Sequence, residues 1–331
     1  MARVSLLPLL ALALGPQACE LPGALRPVAE VPAIILELPE PELELPLIPD
    51  SRWVLARVRL GERELLAAYD TGLSVRALVD EALCEELGLP LQRGRWSIDG
   101  GGGSGYRRGT TLPPVEWGAF TSEEMRALRA DLSFLETASG ESVQLVLGMP
   151  LFGRRTVQLD LPELEVRVFS DAPLPPVGRN HVLPLRGRGG VPFCPLTVGE
   201  HSMRMLLDSG FDGALALPDS LREKLPLRGD AHRTGSLRTV LGEGSAVYTG
   251  RLDIDLKFAD FRFPVPAVQF LEGYRHAVLG RRALDVFVLT LDLENGRVHF
   301  GLPAEASASN KTGILGGLPF PLGVSDSTDA R

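Results

Sequence analysis

Leu66-Ala67-Ala68-Tyr69-Asp70-Thr71-Gly72 and Met205-Leu206-Leu207-Asp208-Ser209-Gly210 are two versions of one phrase, an apolar run that ends in a carboxylate turn. A lone Asp-Thr/Ser-Gly tripeptide is weak evidence, because roughly 0.1 to 0.3 are expected by chance in a chain of this length and most are ordinary turns. The surroundings carry the weight. Displaced by 138 positions, the chain aligns Val58 to Leu89 with Leu196 to Leu227 without a gap, placing Gly61-Glu62 on Gly199-Glu200, Asp70 on Asp208 and Gly72 on Gly210. At a displacement of 132, Val146-Leu147-Gly148 falls on Val278-Leu279-Gly280 and Leu159-Asp160-Leu161 on Leu291-Asp292-Leu293. One loop deletion accounts for the change of offset. A period this long marks a duplicated unit and excludes a solenoid, whose repeats run about 20 to 50 residues.

The 331 residues are enough for two such units, each of ordinary domain size. A formal charge of -8 with no concentrated Lys/Arg cluster argues against nucleic acid as a partner. Three cysteines, Cys19, Cys84 and Cys194, have no metal-ligand spacing, and Cys84 and Cys194 are expected to be unpaired thiols. The five histidines are scattered, and no Gly-x-Ser-x-Gly supports a serine nucleophile.

Residues 1–19 read as an export signal: Arg3 is followed by an apolar stretch, Ser5 to Leu14, too short to span a bilayer, and by the small residue Ala18. This places the chain in the periplasm or cell envelope. Cys19 resembles the lipid-modified cysteine of bacterial lipoproteins, with Pro16-Gln17 in place of the usual Leu-Ala or Leu-Ser. Acylation of Cys19, which would anchor the chain to a membrane, and plain cleavage nearby are both open. Residues 20–50 are rich in Pro, Leu and Glu and read as an extended spacer, or as a segment that adds a strand around Ala33 to Leu38.

The first unit is expected over 51–172 and the second over 178–302, followed by a flexible tail at 303–331. Trp53 to Leu60, the Gly61-Glu62-Arg63 turn and Leu65 to Tyr69 predict a β-hairpin, so that Asp70 lies where a strand gives way to a turn. Cys194 to Leu207 predicts its counterpart. Val79 to Leu87 and Asp219 to Leu225 have the spacing of short helices. Thr121-Ser122-Glu123-Glu124 looks like a capping box, but the repeat partner is strand-like, so a short helical turn and then a strand over Ala127 to Leu132 are expected. The short strands and few helices make both units mainly β.

An apolar strand, Asp-Thr/Ser-Gly and, about 70 residues on, two apolar residues and a glycine resemble one lobe of the aspartic peptidases, retropepsin-like and pepsin-like, here in tandem as in a bacterial single-chain form. The resemblance covers roughly residues 51 to 302. It implies a duplicated acid-protease fold of two β-barrel lobes, an aspartic endopeptidase activity, Asp70 and Asp208 as the catalytic pair, and an extended peptide or protein as substrate. Two carboxylates about 3 Å apart cannot both ionise, so the pair keeps one proton and serves as both acid and base. No metal or organic cofactor is needed, and with both aspartates in one chain a monomer suffices.

The resemblance also assigns supporting roles. Gly72 and Gly210 let the backbone pass close to the carboxylates; Thr71 and Ser209 tie the two turns together; Ser74 supports the first carboxylate. Asp212, at the position matching Ser74, is either a substrate-subsite residue or a solvated turn residue. Gly101, Gly102 and Gly103 fall where the family carries a flap over the substrate, with Tyr106 the nearest tyrosine, and Gly242 lies in a similar loop of the second unit. Asp160 and Asp292 read as structural. The alternative function is an inactive two-lobed envelope protein that binds extended peptides.

Overall fold

Apolar and β-branched runs punctuated by glycine and proline turns fold into strands, and helix is confined to short turns. The computed structural model describes residues 28–29 and 36–303, apart from 101–102, 171, 173, 180, 189 and 241. The expected export signal, Cys19, the flap glycines Gly101 and Gly102, and nearly all of the tail lie outside the described residues. Among the described residues no helix is long and apolar enough to cross a membrane.

After β1 (Val28–Ala29) and β2 (Leu43–Pro46), the first half contains β3 (Leu55–Leu60), β4 (Arg63–Asp70), β5 (Ala77–Asp80), α1 (Glu81–Glu86), β6 (Trp96–Gly100), β7 (Gly103–Arg107), β8 (Gly109–Leu112), β9 (Val115–Trp117), β10 (Phe120–Thr121), β11 (Met125–Ala130) and β12 (Leu145–Gly148). Next come β13 (Thr156–Asp160) and β14 (Glu165–Phe169). The second half contains β15 (Val182–Pro184), β16 (Arg186–Arg188), β17 (Val191–Val198), β18 (His201–Asp208), β19 (Leu215–Pro218), β20 (His232–Thr239), β21 (Gly242–Arg251), β22 (Leu256–Phe258), β23 (Phe261–Phe263), β24 (Ala267–Leu271) and β25 (Ala277–Gly280). It ends with α2 (Arg281–Leu284), β26 (Val288–Asp292) and β27 (Arg297–Gly301).

The duplication is visible in the sheets. One runs β10-β9-β3-β4-β12-β5-β11-β8, and the other repeats it strand for strand as β23-β22-β17-β18-β25-β19-β24-β21, with β1 and β20 added at its two ends and β16 paired off this path with β17. The registers repeat as well: Leu55 faces Ala68 as Phe193 faces Leu206, and Asp70 faces Gly148 as Asp208 faces Gly280. A third sheet, β15-β27-β26-β13-β14-β2, joins the halves. At its centre Gln158 faces Thr290, its own equivalent at the 132 offset, and the Gln158 Nε2 donates to Thr290 Oγ1 at 3.0 Å. Equivalent residues that pair with each other lie on an approximate twofold axis.

Several expectations are refined. Val79 and Asp80 finish β5, and the helix begins only at Glu81, with the Asp80 carboxylate capping it by accepting from the N–H groups of Ala82 and Leu83. No helical turn forms at Thr121 to Glu124: Thr121 closes β10, and Ser122 bonds the backbone of Val115 and not a helix start. β11 then runs as a strand, because its parallel pairing with β5 outweighs local helix propensity. The second helix shrinks to a 3-10 turn at Asp219–Leu221, between Pro218 and Pro226, which break a longer run. Within the Pro- and Glu-rich stretch, the strands lie at β1 and β2 and residues 36–38 are not strand. β2 pairs with β14, which makes it the counterpart of β15.

One apolar core runs through both halves, with Tyr69, Trp117 and Phe152 from the first and Phe261, Phe287 and Phe300 from the second. Strand alternation divides β4: Leu65, Ala67 and Tyr69 enter this core, while Leu66 and Ala68 face the other way, on the side of Asp70. Cys84 and Cys194 are buried free thiols. Asp160 and Asp292 are buried as well. Asp160 accepts from Arg167 at 3.1 Å, and Asp292 from the backbone and side chain of Asn295.

Candidate active site

Each aspartate ends a central strand that is paired in parallel with the Val-Leu-Gly strand of its own half, β4 with β12 and β18 with β25. The glycines that end those strands are required by close approach. A Cβ on Gly148 would lie 2.2 Å from the Val75 carbonyl oxygen, and one on Gly280 would lie 2.5 Å from that of Gly213. The chain leaving each aspartate turn therefore passes directly over the glycine. Gly148 N donates to Arg76 O at 3.0 Å and Gly280 N to Ala214 O at 2.9 Å, the same bond in both halves.

The two turns grip each other through a reciprocal set of bonds. Thr71 N donates to Ser209 Oγ and Ser209 N to Thr71 Oγ1, each at 3.0 Å. The hydroxyls then donate across the junction, Thr71 Oγ1 to Leu207 O at 2.7 Å and Ser209 Oγ to Tyr69 O at 2.8 Å. Both residues are buried, so these four bonds satisfy groups that water does not reach.

Held this way, the carboxyl groups of Asp70 and Asp208 are hydrogen-bonded to each other. Gly72 N donates to Asp70 Oδ1 at 2.7 Å and Gly210 N to Asp208 Oδ1 at 2.9 Å. The fit is tight: a Cβ on Gly72 would lie 2.6 Å from the Asp208 Cγ, and one on Gly210 would lie 2.5 Å from the Asp70 Cγ. Burial raises the pKa of both carboxyls above the ordinary aspartate range, and for Asp208 the neighbouring Asp70 charge raises it further. The backbone N–H bonds act in the opposite direction. The proton that results belongs to the pair and not to either residue.

The supporting residues divide. Thr71, Gly72, Ser209 and Gly210 converge on the carboxyls. Ser74 is half-buried, and no side-chain hydrogen bond from it to Asp70 occurs among the described residues. Asp212 is ion-paired with Arg282 at 3.2 Å, and burial raises its pKa more than Arg282 lowers it. Gly103 starts β7, paired with Gly100 across the tip of the β6–β7 hairpin, and Gly242 starts β21 and is exposed. Tyr274, which sequence reasoning passed over, is buried on the same side as Asp208, whose charge adds to burial in raising the phenol's pKa. Its only signal was its place just before the second Val-Leu-Gly. Among the described residues no three His, Cys, Asp or Glu side chains converge as a metal site.

Residues 194–290 match the aspartyl protease family model. The matched segment holds Asp208-Ser209-Gly210 and Val278-Leu279-Gly280. No curated protein sequence matches the chain. Among solved structures, basic 7S globulin from soybean is similar at 13% identity, with 83% of this chain and 99% of that chain covered and a TM-score of 0.45.

Proposed function

We propose that the chain is an aspartic endopeptidase that hydrolyses peptide bonds with a water molecule activated between Asp70 and Asp208. The observation that carries this reading is the pair of half-buried carboxyls, one from each half, that bond to each other and are locked by the reciprocal Thr71–Ser209 bonds. One carboxylate takes a proton from the water as its oxygen bonds to the peptide carbonyl carbon, while the proton on the other carboxyl moves to the carbonyl oxygen. Breakdown of the resulting diol breaks the C–N bond. The amine nitrogen takes a proton and the other fragment leaves as a carboxylic acid, so that the pair regains a single shared proton.

On this reading Asp212, ion-paired with Arg282, serves as a substrate-subsite residue. The export signal read in residues 1–19 supports an envelope or periplasmic location, with Cys19 as the anchor if it is acylated. The test is cleavage of a peptide mixture by the purified full chain from acidic to neutral pH, beside Asp70→Asn and Asp208→Asn. Cleavage by the wild type that is lost in both variants supports the reading; cleavage that survives either substitution, or is absent in the wild type, overturns it.

A further inference from the structure

The two halves also differ on one face of their first hairpins. Ile48, Leu55 and Leu66 of the first half correspond, at the 138 offset, to Arg186, Phe193 and Arg204 of the second. The backbone pairing is the same in both: Ile48 faces Leu55 as Arg186 faces Phe193, and Leu66 faces Arg57 as Arg204 faces Pro195. In the first half these side chains are covered. Leu55 and Leu66 are buried in one apolar cluster with Leu132, Phe134 and Val143, from the segment 131–144 that joins β11 to β12. That segment is fastened over the hairpin by Trp53 Nε1 donating to Glu136 O at 2.9 Å and by the Arg57–Glu141 ion pair at 3.2 Å.

In the second half the corresponding join, from β24 to β25, is only 272–276, and it sets His276 edge-on to Phe193 with ring centroids 5.1 Å apart. The rest of the face stays open. A cavity of about 170 Å³ lies there, with Pro184, Phe193, Pro195 and Met203 among its walls and the exposed Arg186 and Arg204 beside them. Its size suits one aromatic ring, since a dry apolar cavity of about 150 Å³ holds benzene. Among the described residues neither arginine has a carboxylate partner, although the chain carries a formal charge of -8. The Arg204 guanidinium is held over the Phe193 ring, 4.8 Å from its centre. A guanidinium stacked in this way keeps N–H groups at its edge for a planar anion.

We propose that this cavity binds a small monocarboxylate whose apolar body is the size of one aromatic ring. The body fills the space beside Phe193 and Met203, and the carboxylate accepts N–H bonds from Arg186 and Arg204. An uncharged ring forgoes the arginines, and a carboxylate without a ring leaves the cavity unfilled, so both parts of the ligand are required. Arg204 precedes Asp208 by four strand positions, about 13 Å. The site is therefore separate from the carboxyl pair and does not rest on the peptidase reading.

The experiment follows the methionine signals of the full-length protein, labelled with ¹³C at the methionine methyls, during titration with benzoate, benzyl alcohol and acetate. The Met203 signal is assigned by Met203→Leu, and the other methionine signals report that each variant is folded. Benzoate is expected to shift the Met203 methyl saturably with a Kd of about 1 mM, as befits so small a ligand. Benzyl alcohol and acetate should bind at least about tenfold more weakly, for want of the charge or of the ring. Arg186→Gln and Arg204→Gln should each weaken benzoate about tenfold and leave benzyl alcohol unmoved, because each removes a charge-assisted bond. A Met203 signal that does not move or does not saturate, equal affinities for benzoate and benzyl alcohol, or benzoate affinity unchanged in either arginine variant overturns the site.

Discussion

At the aspartate turns the two halves are interchangeable. Thr71 and Ser209 exchange the same bonds, Gly72 and Gly210 press on each other's carboxyl, and Gly148 and Gly280 let the same chain crossing pass. A few residues away they part. The position of Ser74 in the first half carries the ion-paired Asp212 in the second, and the second half's hairpin reaches across to the first through Arg238 and Val240. The symmetric part is what two carboxyls need in order to share a proton. The duplicated halves therefore stay alike at the paired turns and diverge a few residues away from them.

The largest expected effect tests the symmetric part. Asp70→Asn and Asp208→Asn should each lower kcat by about 10³-fold or more, to a similar extent, since either removes half of one acid–base unit; a variant retaining substantial turnover would break the equivalence. The same substitutions bear on stability. A carboxyl whose folded pKa is raised stabilises the fold fully below the unfolded value and loses that contribution as pH rises through the folded value. At neutral pH the pair is thus a liability, and Asp208→Asn should raise Tm at pH 7 with a difference that shrinks toward pH 3.

Gly72→Ala and Gly210→Ala should come next, each costing about 1–3 kcal/mol in denaturant melts from overpacking and abolishing turnover by displacing the opposite carboxyl. Thr71→Val and Ser209→Ala each leave buried N–H or C=O groups unpaired and should cost about 1–3 kcal/mol, with the double variant less destabilised than the sum because the bonds are shared.

A comparably sized effect has a different cause and lies in the sheet that joins the halves. His299 is buried beside His181, and burial first, then the neighbouring imidazole, lowers its pKa to about 4 from an ordinary 6.5. The neutral ring is favoured in the fold, so stability is complete above pH 6.5 and falls between 6.5 and 4 by roughly 3 kcal/mol. His299→Phe should flatten that decline in a series of melts against pH. The smallest effect is expected for Ser74→Ala, within about 0.5 kcal/mol in the same melts, in contrast with Asp212→Asn, which unpairs Arg282.

The duplicated framework was legible because it is written in residue identities that the geometry requires: aspartate, glycine and apolar strand at fixed separations. The site glycines follow from close approach, and the hydroxyls of Thr71 and Ser209 from an interface that needs paired donors and acceptors. The join between the halves was less legible. Leu45-Pro46-Leu47 matches Leu183-Pro184-Leu185 at the same offset of 138, but the match is short and lies among prolines that suggest a spacer. Thr121 to Glu124 carried a helix signal that the β11 pairing overrode. The docking of Val240 and Arg238 on the opposite half joins positions more than 100 residues apart, and no local pattern encodes it.

The central claim is that residues 138 positions apart form one proton-sharing unit. It is tested most directly by titrating the protein labelled with ¹³C at the aspartate carboxyl carbons and following the signals assigned by Asp70→Asn and Asp208→Asn. The account predicts that one carboxyl of the pair stays protonated well above the ordinary aspartate range, and that this proton is lost from the pair when either partner becomes asparagine. Two carboxyls that titrate independently near the ordinary value would contradict it.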